Sequence, residues 1–161
     1  MQINGKNYRR NVAAVIVSSL YPHNCDVFVG QRIGKKNAWQ FPQGGIDEGE
    51  EPEEALFREL KEEIGTKKVE IIAEYPEWTC YDFPEYVKKE NIAQCDGYDG
   101  QVQKYYLVKL KNSAKINLNT KHAEFDSYKF IQIEEVLDYI VYFKKGVYSK
   151  VLHYFKKEGY L

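Results

Sequence analysis

Glu59, Glu62 and Glu63 hold most of the chemistry that this sequence offers. They lie in "FRELKEEIGT", residues 57–66, three and four positions apart, and residues so spaced are neighbours on a helix. At 3.6 residues per turn the three carboxylates fall within an arc of roughly 100°. Leu56, Phe57, Leu60 and Ile64 fill the arc beside it, so the carboxylates stand at the edge of a buried face. Like charges so placed repel by about 0.2–0.5 kcal/mol per exposed pair, and by more when desolvated. Arg58 and Lys61 offset part of this. A hard divalent cation offsets it better, since Mg²⁺ takes oxygen ligands and keeps phosphate oxygens in its shell. The plain alternative is the solvated side of an acidic surface helix.

Stepping outward from the glutamates, a helix is predicted over 52–64. Pro52 suits a first turn, where its missing N–H has no partner to lose, and Gly65 follows at the usual stop position. Before it lies the Gly-rich "FPQGGIDEGEEP", with Trp39 and Phe41 read as packing that holds the Gly44–Gly45 backbone. "NVAAVIVSS" (11–19) and "CDVFVGQRIG" (25–34) read as strands joined through Pro22 and Asn24 as turn formers. Further strands are predicted at 68–75, 78–83, 103–110 and 128–133, with a polar loop over 85–100. A short helix near 134–140 and a longer one over 146–158 close the chain. No repeat period or linker divides it. The expectation is one α/β domain spanning 1–161, a mixed sheet sandwiched by helices.

The chain has 161 residues, enough for a sizeable core. With 23 basic against 24 acidic side chains and a net charge of −1, it lacks the cationic footprint that coats long duplex nucleic acid. A nucleotide or a nucleic-acid end remains a suitable ligand. Cys25, Cys80 and Cys95 show no C-x-x-C spacing and suit a reducing compartment. There is no leader-like apolar segment and no 18-residue apolar run, so a cytoplasmic protein without a membrane partner is expected. His23, His122 and His153 share no ligand spacing, and H-E-x-x-H, the phosphate-cradling P-loop and G-x-S-x-G are all missing.

Gly44, Glu50 and the run Arg58-Glu59-Leu60-Lys61-Glu62-Glu63-Ile64-Gly65 stand at fixed offsets. They resemble the Nudix box, G-x5-E-x7-R-E-U-x-E-E-x-G-U, where U is a bulky apolar residue; Thr66 departs from the last U. The Nudix family hydrolyses nucleoside diphosphates linked to a further moiety. The resemblance implies an α/β/α sandwich with a loop–helix–loop box. It implies metal ligation by Glu59 and Glu63, with Glu62 in the same cluster, and a structural pairing of Arg58 with Glu50. Gly44 and Gly65 are structural positions of the same motif. The implied cofactor is Mg²⁺, with Mn²⁺ able to substitute, as two or more ions that lower the pKa of a bound water and support in-line displacement at phosphorus.

Flanking segments, among them "YRRNVAAVIV", "AWQFPQGGIDEGE", "DGQVQKYYLVKL", "EFDSYKF" and "FKKGVYSKV", resemble the bacterial RNA pyrophosphohydrolase group of that family. "YRRN" carries Arg10 where the group has proline. The resemblance implies removal of pyrophosphate from triphosphorylated RNA 5′ ends; the alternative is hydrolysis of dinucleoside polyphosphates. It places Glu124 among the metal-reaching and catalytic carboxylates with Glu59 and Glu62. It places Arg9, Arg32, Gln101, Gln103 and Lys144 against phosphates or the first nucleotides, and Phe143 with Arg32 on either side of a base. Such stacking gains roughly 1–3 kcal/mol per base without needing a particular sequence. The plain alternatives are an exposed loop glutamate for Glu124, a core ring for Phe143, solvated charges for Arg32 and Lys144, and ordinary strand residues for Gln101 and Gln103.

Overall fold

Strand β2 (Lys6–Val17) organises the molecule. Its run "NVAAVIV" is apolar on both sides because the strand is covered on both faces. Val12, Ala14 and Ile16 face one layer and Ala13, Val15 and Val17 the other. The structure, a computed structural model, describes residues 1–90 and 95–161. The remaining strands are β1 (Gln2–Ile3), β3 (Val27–Arg32), β4 (Trp39–Gln40), β5 (Gln43–Gly45), β6 (Val69–Glu74), β7 (Thr79–Asp82), β8 (Gly100–Leu110) and β9 (Phe125–Ile131). The helices are α1 (Pro52–Ile64), α2 (Glu85–Glu90), a 3₁₀ turn at Ile133–Glu135 running into α3 (Val136–Tyr139), and α4 (Tyr142–Lys157).

The sheet is mixed, in the order β4-β3-β2-β8-β6. The β2–β8 pair is parallel, from Tyr8–Gly100 to Val17–Lys109. The short β5 pairs antiparallel with β2, setting Gly45 opposite Asn11 and Gln43 opposite Ala13. One face packs against α1 through Ala55, Leu56, Leu60 and Ile64. The other packs against α4 through Val147, Tyr148, Val151 and Phe155. This is the expected α/β/α sandwich. Each fully buried side chain of this size contributes roughly 1.5–3 kcal/mol. Among the described residues, no helix is long and apolar enough to cross a membrane.

Several boundaries differ from the sequence expectation. Strand β2 begins at Lys6, because the charged "KNYRRN" segment is held by ladders to β8 and β1 and not by an apolar period of its own. Strand β5 was not expected, since glycines have little strand propensity. Helix α4 starts at Tyr142, four residues early, with Lys144 and Val147 turned to the interior. The polar loop over 85–100 contains α2, and residues 91–94 of it lie outside the described residues.

Helix α1 starts and stops as its sequence implies. The Glu54 carboxylate accepts from the Glu51 N–H at 3.0 Å, satisfying an orphan donor of the first turn. Gly65 ends the helix at φ 76°, and a Cβ there would lie 2.5 Å from the Asn117 carbonyl oxygen. A left-handed residue other than glycine costs about 1–2 kcal/mol before any clash. Gly65→Ala is therefore expected to lower the unfolding free energy by at least about 2 kcal/mol in urea titration. A loss below 0.5 kcal/mol would contradict this account of the helix end.

Candidate active site

The acidic edge of α1 rests on the two glycines of β5, which have no side chains to keep it off. A Cβ on Gly44 would lie 1.8 Å from the Glu59 carboxyl carbon, so the glycine lets that carboxylate pack directly on β5. Arg58 holds the junction. Its Nε donates to Glu50 Oε1 at 2.9 Å, and its Nη2 donates to Glu50 Oε2 and to the Gly45 carbonyl, each at 2.7 Å. Its Nη1 donates to Glu59 Oε1 at 2.7 Å and stands 3.6 Å from Glu62. The pairing with Glu50 was expected; the reach to Gly45 and Glu59 was not legible from spacing. The Arg58 bonds hold Glu50 below the usual carboxylate range.

Burial dominates the deeper carboxylates. It raises the pKa of Glu59, which the Arg58 hydrogen bond partly opposes. Glu63 is buried, and desolvation, followed by the charges of Glu59 and Glu124, pushes it well above the ordinary value. Its Oε2 accepts from the Gln43 N–H at 2.9 Å. Glu59, Glu62, Glu63 and the exposed Glu124 all line one cavity of about 770 Å³.

The same cavity is also lined by Arg9, Arg32, Gln101, Phe143 and Lys144. Arg9 lies over Gly45, where a Cβ would come 2.5 Å from its Nη2. Arg10, the departure in "YRRN", stacks its guanidinium 5.2 Å above the Trp78 ring and leaves Arg9 to the cavity. Phe143 is half-buried with its ring 5.7 Å from Tyr81. Lys144 is not surface charge: it is buried, and desolvation, with Arg32 nearby, lowers its pKa to about 7. Gln103 is fully buried and is not on the cavity wall. The structure therefore gives it a supporting position beneath the wall.

Sequence reasoning missed the polar layer behind this wall. Lys144 Nζ donates to Gln40 Oε1 at 3.0 Å and to Gln43 Oε1 at 3.3 Å. Gln43 Nε2 donates to Gln101 Oε1 at 3.0 Å, and Gln103 Nε2 donates to the same oxygen at 3.2 Å and to Gln43 Oε1 at 3.1 Å. The Tyr81 hydroxyl donates to Gln101 Oε1 at 2.6 Å. Gln40 and Gln43 flank "FP" just before the glycines, which was the available signal. His122 also lines the cavity. Asn11 lines it too, and its buried Oδ1 has no partner among the described residues. Phe41, expected as packing, is fully buried, stacks on Tyr148 at 4.4 Å and donates its N–H to that hydroxyl at 2.9 Å.

Carboxylate oxygens facing a polar cavity are the donor set a hard divalent cation takes. The buried Glu63, facing the charges of Glu59 and Glu124, fits such an ion because the Gln43 N–H and the charge of Lys144 offset its desolvation only in part. Among the described residues, however, no three His, Cys, Asp or Glu side chains stand in a preformed metal-holding arrangement. Two of the four carboxylates are already engaged, Glu59 by Arg58 and Glu63 by the Gln43 N–H. The ready-made cage that the spacing suggested is thus a looser gathering of carboxylates along one wall.

A family model described as the NUDIX domain matches residues 7–151. A relative from Campylobacter jejuni named RNA pyrophosphohydrolase is 56% identical over 158 residues, covering 98% of this chain and 99% of that one. Another of the same name from Nitratiruptor is 57% identical over 155 residues, covering 96% and 97%. Among solved structures, the E. coli dihydroneopterin triphosphate pyrophosphohydrolase superposes with a TM-score of 0.69 at 17% identity. That match covers 91% of this chain and 98% of that one, a likeness of fold alone.

Burial of Glu63 has a signed consequence for stability. Its folded pKa lies above the ordinary 4.5, so between those values the folded protein binds more protons than the unfolded chain. This contribution therefore weakens as pH rises through that window. Glu63→Gln should raise the Tm of the protein in EDTA, with a gain over the parent that grows from pH 5 to pH 8. The same variant should lose most of the Tm increase that added Mg²⁺ gives the parent. Equal Tm values across that pH range would rule out an uncompensated charge at Glu63.

Proposed function

Because the chain belongs to the Nudix family, we propose that its cavity removes pyrophosphate from the 5′-triphosphate end of RNA and leaves a 5′-monophosphate. The chain is a Nudix pyrophosphohydrolase. One observation carries the reading of the site: a single cavity is lined both by carboxylates and by cationic or hydrogen-bonding side chains. A polyphosphate suits both, because its oxygens accept hydrogen bonds from the donors and divalent cations held by the carboxylates would neutralise its charge. Identities of 56–57% over nearly the full length to relatives named RNA pyrophosphohydrolase support RNA as the substrate.

Nudix hydrolases generally need divalent metal ions, and Glu59, Glu62, Glu63 and Glu124 would hold Mg²⁺ or Mn²⁺ here. Such ions, when bound, neutralise the polyphosphate and lower the pKa of a coordinated water. The chain's own groups supply the rest. Glu59, Glu62 and Glu124, which line the cavity, are the carboxylates that would take the proton of the attacking water, a role that requires hydrogen-bond reach. Burial raises Glu59, which makes it a stronger base. Arg9 and Lys144 bind phosphoryl oxygens and orient the α–β anhydride. Phe143 and Arg32 share the cavity, and a base held between an aromatic face and a guanidinium gains stacking and cation–π attraction. RNA 5′ ends are suited to this because their bases are unpaired.

Two measurements test the reading. In one Mg²⁺ buffer, kcat/KM on triphosphorylated RNA should rise from one nucleotide to two or three and should exceed the value on diadenosine tetraphosphate. A flat length series would remove the base sandwich, and a higher value on the dinucleotide would make that compound the substrate. Glu59→Gln should lower turnover by roughly 10²–10⁴-fold with Tm within a few degrees of the parent. Retained turnover would exclude Glu59 from the chemistry.

A further inference from the structure

The polar layer behind the cationic wall has a direction, and Lys144 sets it. In its ammonium form Lys144 donates and never accepts, and the groups facing its Nζ at 3.0 and 3.3 Å are the carboxamide oxygens of Gln40 and Gln43. With the Gln43 oxygen so committed, its NH₂ faces the other way and donates to Gln101 Oε1. That oxygen also accepts from Gln103 Nε2 and from the Tyr81 hydroxyl. Were Gln101 turned end for end, its NH₂ would oppose the NH₂ groups of Gln43 and Gln103, donor against donor. Its oxygen is therefore held inward. Its NH₂, which has no partner among the described residues, is the end left for the cavity that Gln101 lines.

We propose that Gln43 is a positioning residue which, clamped by Lys144, turns the Gln101 carboxamide so that its NH₂ group faces the substrate. Arg9 stands opposite Gln101 in the parallel β2–β8 register and lines the same cavity. Arginine, lysine and an amide NH₂ offer only donors. Arg9 and Gln101 then present donors side by side, matched to phosphoryl oxygens, which only accept. A reversed Gln101 would aim a carbonyl dipole at those oxygens and repel them. Gln43 thereby tunes affinity for the polyphosphate arm without touching it through its amide. Of the proposed function, this rests only on a polyphosphate occupying the cavity.

The direction can be read without any substrate. In ¹⁵N-labelled protein with side-chain amides assigned, the NH₂ groups of Gln43 and Gln103 should exchange slowly with solvent and that of Gln101 rapidly. In Gln43→Glu, the introduced carboxylate accepts where an NH₂ stood, so Gln101 should reverse and its NH₂ should become protected. A Gln101 NH₂ already protected in the parent, or unchanged in the variant, would overturn the proposal. If Gln43→Glu fails to fold, Gln43→Met serves instead, with faster Gln103 NH₂ exchange expected and unchanged exchange counting against the proposal. Kinetically, Gln43→Glu should raise KM for a triphosphorylated dinucleotide roughly tenfold, as the loss of one hydrogen bond to a charged group implies. Gln101→Ala should do the same, and the double variant should add little. Additive effects, or a fall confined to kcat, would reduce Gln43 to a structural residue. Failure to cleave RNA at all would undo the proposed function while leaving the exchange result standing.

Discussion

The site depends on one guanidinium. Arg58 ties the acidic loop through both oxygens of Glu50, the short strand β5 through the Gly45 carbonyl, and its own helix through Glu59. These three pieces follow one another along the chain and crowd like charges together where it folds back on itself. Charge-assisted hydrogen bonds contribute about 1.5–3 kcal/mol each when buried, and less here because the Arg58 side chain is 30% exposed. Even discounted, they exceed the repulsion among the exposed glutamates of the helix. Planar geometry matters as much as charge: a lysine could not serve the three directions that the fork of Arg58 serves.

Holding the junction together creates a second imbalance, and that imbalance is the functional one. Packing α1 onto glycine-bearing β5 buries Glu63 beside Glu59 and Glu124, with the Gln43 N–H and the charge of Lys144 in partial compensation. In the same cavity, α4 and the sheet bury Lys144 with two amide oxygens as its hydrogen-bond acceptors and the Tyr81 ring nearby. Each group is thus held in the folded state with its charge incompletely satisfied. A ligand bearing both metal cations and phosphate anions satisfies the two together. The fold stores this mismatch between its helical layers, which lie on opposite faces of β2 and meet in a common cavity.

Helix α1 was legible because its evidence is local. Pro52, the apolar set at Leu56, Leu60 and Ile64, and Gly65 all lie within four turns and state the start, buried side and end. The central part of β2 was legible for the same reason, as an unbroken apolar run. Its charged first half was not, because Tyr8 to Arg10 are held in the sheet by partners more than ninety residues away on β8. Gln103 looked no different from Gln101 in the string. Only the sheet shows one beneath the cavity wall and the other on it. Lys144 carries no local sign of burial either, since it lies in the first turn of a helix whose start at Tyr142 is set by packing against the sheet.

The sequence by itself determined the spacing of the glutamates, the helix that presents them and the glycine that admits them, because a helical period and a missing Cβ act over a few residues. It also determined the layered α/β class through the alternation of apolar segments. The tertiary structure alone decided that Arg58 bridges three elements, that Lys144 is buried against two glutamine oxygens, and that the carboxylates stand as a loose wall and not a finished cage. Those outcomes depend on distances between residues as far as 104 positions apart. Solvation and hydrogen-bond direction at such contacts are properties of the assembled cavity, to which no local pattern corresponds.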